Sequence, residues 1–273
     1  MIIESIKFIF YSVLIVVISK YILVVYLRKL AENLNLNAKT AGNIAGTATS
    51  VPELLTITTS SLRGLTYASI YNILSSNVIN LIQYLATIIL NRNTSKLKNL
   101  AIIFDMILVS LTIIIPIMFL KLNIELDMYI VPLFIICYIL FSFLNSSVHK
   151  VYLQTEEEKD SNTSKSTNKK ATLKYIIVLI ITGVLLYVVG NLLGDTLEKL
   201  CYLFNVSEFI VGILLGVLTS IPELITFFES QKYNKKLEDE MKGVIEATNN
   251  LLTSNIMNLF VIQTIGILLV NFS

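Results

Sequence analysis

Gly46-Thr47-Ala48-Thr49-Ser50-Val51-Pro52-Glu53-Leu54 returns later in the chain as Gly216-Val217-Leu218-Thr219-Ser220-Ile221-Pro222-Glu223-Leu224. The shared core is G-x-x-T-S-[VI]-P-E-L, offset by 170 positions. A second pair follows it. Asn72-Ile73-Leu74-Ser75-Ser76-Asn77-Val78-Ile79-Asn80-Leu81 matches Asn250-Leu251-Leu252-Thr253-Ser254-Asn255-Ile256-Met257-Asn258-Leu259 at an offset of 178. The extra residues fit in the charged loop after Glu229, so one duplicated helix pair accounts for both offsets.

Both copies lie in strongly apolar sequence. Of 273 residues, 55% are hydrophobic and only 15% charged, against about 25% charged in a soluble domain. Phe8 to Leu27 is interrupted only by Ser12, Ser19 and Lys20, and Leu100 to Leu120 only by Asp105, Ser110 and Thr112. A helix of about 20 such residues crosses the hydrocarbon core, and open strands would leave backbone groups unpaired in lipid. Eight apolar segments are expected, at 5–28, 40–62, 66–90, 100–120, 128–148, 173–194, 207–229 and 243–270. The first is too long for a signal-peptide core and no small-residue cleavage site follows it. It reads as a retained span.

The stretch from Gln154 to Lys170, QTEEEKDSNTSKSTNKK, holds no apolar residue and reads as a solvated linker. The chain divides into a first membrane half (1–150), a linker (151–172) and a second half (173–273). Loops on one side carry Arg28, Lys29, Lys39, Arg92, Lys96, Lys98, Lys150, Lys159, Lys165, Lys169, Lys170, Lys174, Lys232, Lys235, Lys236 and Lys242; the other side has Lys7, Arg63, Lys121 and Lys199. The positive-inside rule makes the linker cytoplasmic and puts both termini outside. Net charge is only +2, which argues against a nucleic-acid partner. Cys137 and Cys201 show no metal-ligand spacing.

Topology gives the duplication its meaning. Segments two and seven are five crossings apart, so they run in opposite directions. The expected fold is an all-α integral membrane protein, an inverted-repeat transporter with about eight transmembrane helices arranged 5+3, of the plan that places its site at the midplane. Glu53 and Glu223 lie about 13 and about 16 residues into their segments from opposite sides, and Asn80 and Asn258 about 14 or 15 into theirs, roughly 20–24 Å of helical path. All four can meet near the bilayer centre.

The side chains around them suit a hard cation. Thr49 and Ser50 precede Glu53 by four and three positions and can share its helix face. Thr219, Ser220 and Glu223 repeat the spacing, while Ser76 and Asn80, like Ser254 and Asn258, are four apart. Carboxylate, amide and hydroxyl oxygens are the ligands of Ca²⁺ or Na⁺, and no soft ligand is among them. Pro52 and Pro222 remove an amide one residue before each glutamate, so a broken helix can lend carbonyls to an ion.

These motifs resemble the two alpha repeats of the sodium/calcium exchanger (Ca²⁺/cation antiporter) superfamily, over about 42–83 and 212–262. The resemblance implies a ten-helix 5+5 fold, exchange of Ca²⁺ for Na⁺ or H⁺, and alternating access by sliding of the first and sixth helices. By motif position it implies ion ligands at Thr49, Ser50, Glu53, Ser76, Asn80, Thr219, Ser220, Glu223, Ser254 and Asn258. Two departures stand out. Asn258 occupies a position that is commonly Asp in the family, and the last two helices of the second half have no counterpart before Ser273.

Blander readings apply elsewhere. Membrane Ser, Thr and Asn often only bond helices together, the favoured reading for Asn77 and Asn255 and an even alternative for Ser76 and Ser254. Asp105 is expected to snorkel or pair near the cytoplasmic end. Glu229 and Glu246 read as interfacial, and Asp195 and Glu198 as the outer end of segment six. His149 receives no role, and Glu156-Glu157-Glu158 lacks the glycine and alternating oxygens of a calcium loop. The expectation is a plasma-membrane antiporter, not an enzyme, with no cofactor. Its partners are lipid and inorganic cations, with self-association to cover the missing helices. The rival readings are a proton-coupled exchanger and a non-transporting structural subunit.

Overall fold

The computed structural model describes residues 2–62, 66–122, 124, 127–160, 168–203, 208–236 and 239–272, and every regular element among them is helical. The first pass is α1 (Ile2–Ile18), a π-helical turn (Ser19–Leu23) and α2 (Val24–Asn33). The second is α3 (Ala38–Thr49) and α4 (Val51–Leu62), and the third is α5 (Thr66–Leu90). A 3₁₀ turn (Thr94–Lys98) leads to α6 (Leu100–Lys121), α7 (Val131–Asp160) and α8 (Lys169–Leu203). The second repeat is α9 (Glu208–Thr219), α10 (Ile221–Lys236), α11 (Glu240–Ile256), a π-helical turn (Met257–Ile262) and α12 (Gln263–Phe272).

Helices occupy all eight expected apolar segments. Among the described residues, 7 spans are long and apolar enough to cross a membrane. The remaining pass is the second, which consists of two helices of 12 residues each. Side chains set several starts. Asn37 accepts the amide of Thr40, Asn99 that of Ala101 and Asp239 that of Lys242, each satisfying a donor that the first helical turn leaves open. The linker is shorter than its polarity suggested. Helix α7 continues through Gln154–Asp160, where the Glu and Lys residues favour helix, and 161–167 lie outside the described residues.

The two repeats interlock. Helix α3 lies along α11, and α9 lies along α5. Glycines allow the approach, four apart in each repeat at Gly42 and Gly46 and at Gly212 and Gly216. A Cβ at Gly46 would stand 2.6 Å from the Asn250 carbonyl oxygen and 3.0 Å from the Ser254 nitrogen; one at Gly216 would overlap the Ser75 hydroxyl. A cluster containing Tyr84, Phe134, Phe141, Phe227 and Phe260 joins α5, α6, α7, α10 and the second π turn. A second cluster joins α1 and α8 to α3 through Ile15, Leu23, Leu27, Ala45, Leu186 and Val189. The outer faces of α1, α7 and α8 expose Ile9, Phe10, Ile136, Phe143, Ile180 and Val184, as a lipid-facing surface requires.

The lysine-rich connections share one end of the bundle. Lys96 pairs with Glu240 at 3.7 Å, Lys235 donates to the Asn91 carbonyl at 3.3 Å, and Asn33 donates to Thr172 at 2.7 Å. Arg63, Lys165 and Ser273 lie outside the described residues, as do the side chains of Glu156, Glu157, Glu158, Glu198 and Cys201.

Candidate cation site

Each glutamate sits just past a helix break. The Ser50 amide and hydroxyl both donate to the Gly46 carbonyl, at 3.2 and 2.8 Å, and close the last turn of α3. Helix α4 then restarts with Pro52 as its second residue, which offers no amide to the carbonyl four positions back. Ser220 and Pro222 reproduce this between α9 and α10, with the Ser220 amide 3.2 Å from the Gly216 carbonyl. Glu53 and Glu223 therefore lie in the first turns of α4 and α10, where the helix dipole favours negative charge.

All ten residues expected from the motifs are buried, and the fold draws the two repeats together around them. The Ser254 hydroxyl donates to Glu223 Oε1 at 3.1 Å. It accepts from the Ser50 hydroxyl at 2.9 Å and from Asn80 Nδ2 at 3.4 Å. Ser76 and Thr219 place their hydroxyls 3.4 Å apart. The Thr49 hydroxyl donates to the Ala45 carbonyl at 3.0 Å and the Thr219 hydroxyl to the Gly216 carbonyl at 3.4 Å, so neither is spent on a carboxylate.

The framework behind the site is itself duplicated. Asn77 Nδ2 donates to the Asn255 carbonyl at 3.3 Å, and Asn255 Nδ2 donates to the Asn77 carbonyl at 3.2 Å. Their side-chain oxygens receive Asn258 Nδ2 and Asn80 Nδ2, each at 3.2 Å. The structural reading of Asn77 and Asn255 holds, and it acquires a purpose: the pair aims the oxygens of Asn80 and Asn258 away from the clamp. Asn72 donates to Thr56 at 2.8 Å and Asn250 to Thr226 at 2.6 Å. Each threonine in turn donates to the carbonyl of its repeat's glutamate, at 3.0 and 2.8 Å. Sequence reasoning passed over Asn72 and Asn250, although their place at the head of the duplicated motif was a signal.

Among the described residues, no donor reaches either carboxylate oxygen of Glu53, Oε2 of Glu223, Oδ1 of Asn80 or Asn258, or the Ser220 hydroxyl. Buried acceptors left without donors cost free energy, and six of them on motif residues form an oxygen-rich lining that a hard cation fits. No three His, Cys, Asp or Glu side chains come together among the described residues, so the donor set is not that of a thiolate or imidazole metal centre.

Of the two readings open to Asp105, snorkelling or pairing, the structure shows pairing. Asp105 is fully buried, with Asn145 Nδ2 at 2.9 Å from Oδ1 and His149 Nε2 at 2.8 Å from Oδ2. Asn145 also donates to Asn249 at 3.3 Å, tying α6 and α7 to α11. His149, given no role from sequence, is the partner of this aspartate. The two are 44 positions apart, a separation that periodicity cannot reveal. Glu246 is half-buried and pairs with Arg28 at 3.4 Å.

A helical bundle of antiparallel repeats, each with a broken helix and a buried carboxylate at the crossing, defines an integral membrane transporter of the inverted-repeat class. The chain belongs to the sodium/calcium exchanger protein family, whose family model matches residues 5–146 and 174–272. It is thus a multi-pass membrane cation antiporter by family. Solved structures of the sodium-calcium exchanger NCX_Mj share its fold. For one soaked with 10 mM Na⁺ and zero Ca²⁺, the TM-score is 0.61 at 19% identity, covering 98% of this chain and 84% of that one. For another, soaked with 100 mM Na⁺ and 10 mM Sr²⁺, the TM-score is 0.61 at 20% identity, covering 98% and 83%. A third, with zero Na⁺ and Ca²⁺, gives 0.58 at 20% identity over the same shares, 98% and 83%. No curated protein matches the chain in sequence.

Proposed function

We propose that this antiporter exchanges Ca²⁺ for Na⁺ or H⁺ at the cluster between the two breaks. Glu53 and Glu223 neutralise the ion, and Thr49, Ser50, Ser76, Asn80, Thr219, Ser220, Ser254 and Asn258 replace its water. The observation that carries the reading is the convergence of donor-less oxygens on the duplicated motif residues. A resident cofactor has no part in it, and the cations are cargo.

The charge of the cluster sets the coupling. With Asn at positions 80 and 258, two carboxylates bring −2 when both are ionised. One Ca²⁺ or two monovalent cations neutralise that charge, whereas a third Na⁺ would leave an uncompensated buried charge costing several kcal/mol. The cycle is one Ca²⁺ for two monovalent cations, with little net charge moved. A membrane potential acts through net charge at about 2.3 kcal/mol per charge per 100 mV, so this cycle lacks a voltage bias.

The test is ⁴⁵Ca²⁺ flux into proteoliposomes under imposed Na⁺ or H⁺ gradients, with the potential clamped by K⁺ and valinomycin. The gradient at which net flux reverses should not move with voltage. A shift expected for one charge per cycle would refute the two-for-one scheme, and absence of Ca²⁺ flux under both gradients would refute the ion assignment. Comparing the Na⁺ and H⁺ arms decides the counter-ion. The lysine-rich end is assigned to the cytoplasm, with single cysteines at positions 162 and 273 labelling from opposite sides of intact cells as its check.

A further inference from the structure

A cavity of ≈ 530 Å³ opens between α2, α3, α10 and α11. Its mouth, at the lysine-rich end, carries Arg28, Glu32, Tyr233, Lys242 and Glu246, and its inner wall reaches Ala45 and Thr226. Those two residues touch the central cluster. The Ala45 carbonyl accepts the Thr49 hydroxyl at 3.0 Å, and the Thr226 hydroxyl donates to the Glu223 carbonyl at 2.8 Å. A second space, of ≈ 10 Å³, lies among Ile70, Ile73, Pro116, Phe119, Phe134, Leu259 and Gln263, about the size of one water-sized probe.

A network of side chains spans the mouth. Arg28, on α2, reaches Glu246 Oε1 on α11 at 3.4 Å. Glu246 Oε2 accepts from Asn234 Nδ2 on α10 at 3.2 Å. The Arg28 guanidinium lies 4.0 Å over the Tyr233 ring, and the Tyr233 hydroxyl donates to Glu32. The mouth therefore holds two carboxylates and two cationic side chains, and Arg28 covers the carboxylate nearest the core-facing helices.

Building on the proposed cation exchange, we infer that this cavity is the ion's route between the central cluster and the lysine-rich end, and that Glu246 is an ion-handling carboxylate on it, held by Arg28 as a tethered cation. A passing cation needs oxygens in place of shed water, and Glu246 supplies them only when the guanidinium moves aside. Arg28 and a transported cation compete for one carboxylate. Removing Arg28 leaves the mouth net negative and attractive to cations. Removing Glu246 leaves Arg28 unpaired beside the route, where it repels them. The two changes act in opposite directions, whereas a pair that only fastened α2 to α11 would respond to either loss in the same direction.

The experiment measures half-saturating Ca²⁺ separately at each end of oriented transporter in proteoliposomes. At the lysine-rich end, Arg28→Gln should lower it and Glu246→Gln raise it, each by about fivefold, the scale of a partly exposed charge pair. The opposite end should be unaffected in both variants. Shifts of the same sign, or equal shifts at both ends, would overturn the role of Glu246. An arm independent of the ion uses Ala41→Cys, on the cavity wall, in a chain with Cys137 and Cys201 replaced by Ala. A water-soluble methanethiosulfonate should label it from the lysine-rich end. No labelling there overturns the route, even in a protein that moves Ca²⁺. Labelling without any Ca²⁺ flux shows that the cavity is open to solvent and refutes the exchange reading instead.

Discussion

The two repeats carry the same motif in unequal surroundings. In the first, α5 runs unbroken through Asn80 (Thr66–Leu90). In the second, α11 opens into a π turn that begins at Met257 and includes Asn258. A π turn widens the helix locally and is frequent at functional sites, so two asparagines at one motif position are presented differently. The carboxylates differ as well. Glu223 accepts a hydrogen bond from Ser254, while neither oxygen of Glu53 has a donor among the described residues. So do the flanks. Helices α6 and α7 cover α11 and its π turn, while α5 keeps Ile82, Leu85 and Ile89 exposed. Duplication copied the motif residues, and the rest of the chain then made the halves unequal.

The flanks bear on the reason given for self-association, that helices α9 to α12 need a second copy to hide polar faces. The polar residues of α11, Thr248, Asn249, Asn250, Ser254 and Asn255, are instead buried within the chain, and large exposed side chains on α9 such as Phe209 and Leu214 are apolar.

The largest effect should fall on the carboxylates. Glu53→Gln and Glu223→Gln should each reduce Ca²⁺ flux by more than about 100-fold, because half the neutralising charge is lost where solvation is poor. The inequality of the repeats should appear in the ion-free protein. Glu53→Gln should raise the thermal midpoint in detergent more than Glu223→Gln, since it removes a buried carboxyl group neither of whose oxygens has a donor among the described residues. The reverse order would mean that the two carboxylates are equivalent in solution.

Next comes the tie between α6 and α7, which reaches α11 through Asn145. Asp105→Asn or His149→Gln alone should cost about 1–3 kcal/mol in denaturation, because each leaves a buried hydrogen-bonding partner unsatisfied. The double variant should recover most of the loss. If the single variants cost nothing, α6 and α7 do not hold α11 through this pair.

Smaller losses are expected at the crossings. Gly46→Ala and Gly216→Ala should each destabilise by about 1–3 kcal/mol, as overpacking does. Gly46 should be the more sensitive, since its nearest obstacle is the Asn250 carbonyl, whereas Gly216 is blocked first by the Ser75 hydroxyl. Adding Ser75→Ala to Gly216→Ala should restore part of the stability. Without such recovery, the limiting obstacle is the Ser76 backbone nitrogen at 2.9 Å.

The smallest effect should be the most symmetric. Asn77→Ala and Asn255→Ala remove reciprocal halves of one clamp, so each should cost about 1–3 kcal/mol. Together they should cost less than their sum, because both break the same clamp. Clearly unequal single values would show that the π turn has broken the symmetry of the crossing as well as of the ligands.

Much of this was legible in the sequence because lipid leaves few alternatives. Apolar runs of about 20 residues must be helices, an odd number of crossings must invert the second repeat, and two carboxylates at matching depth demand a cation or a partner. The ten residues proposed for the site needed only the motif and its copy, and all ten are buried. Tertiary structure decided what depends on contact across long separations. It paired Asp105 with His149, gave Asn77 and Asn255 each other's carbonyls, and set Arg28 against Glu246 over 218 positions. It also put Asn258 in a π turn while Asn80 stayed in regular helix. The physical reason is that helix periodicity fixes which residues share a face, but neighbouring helices fix which face meets which, and a lone polar side chain in a membrane segment takes its meaning from the partner it finds there.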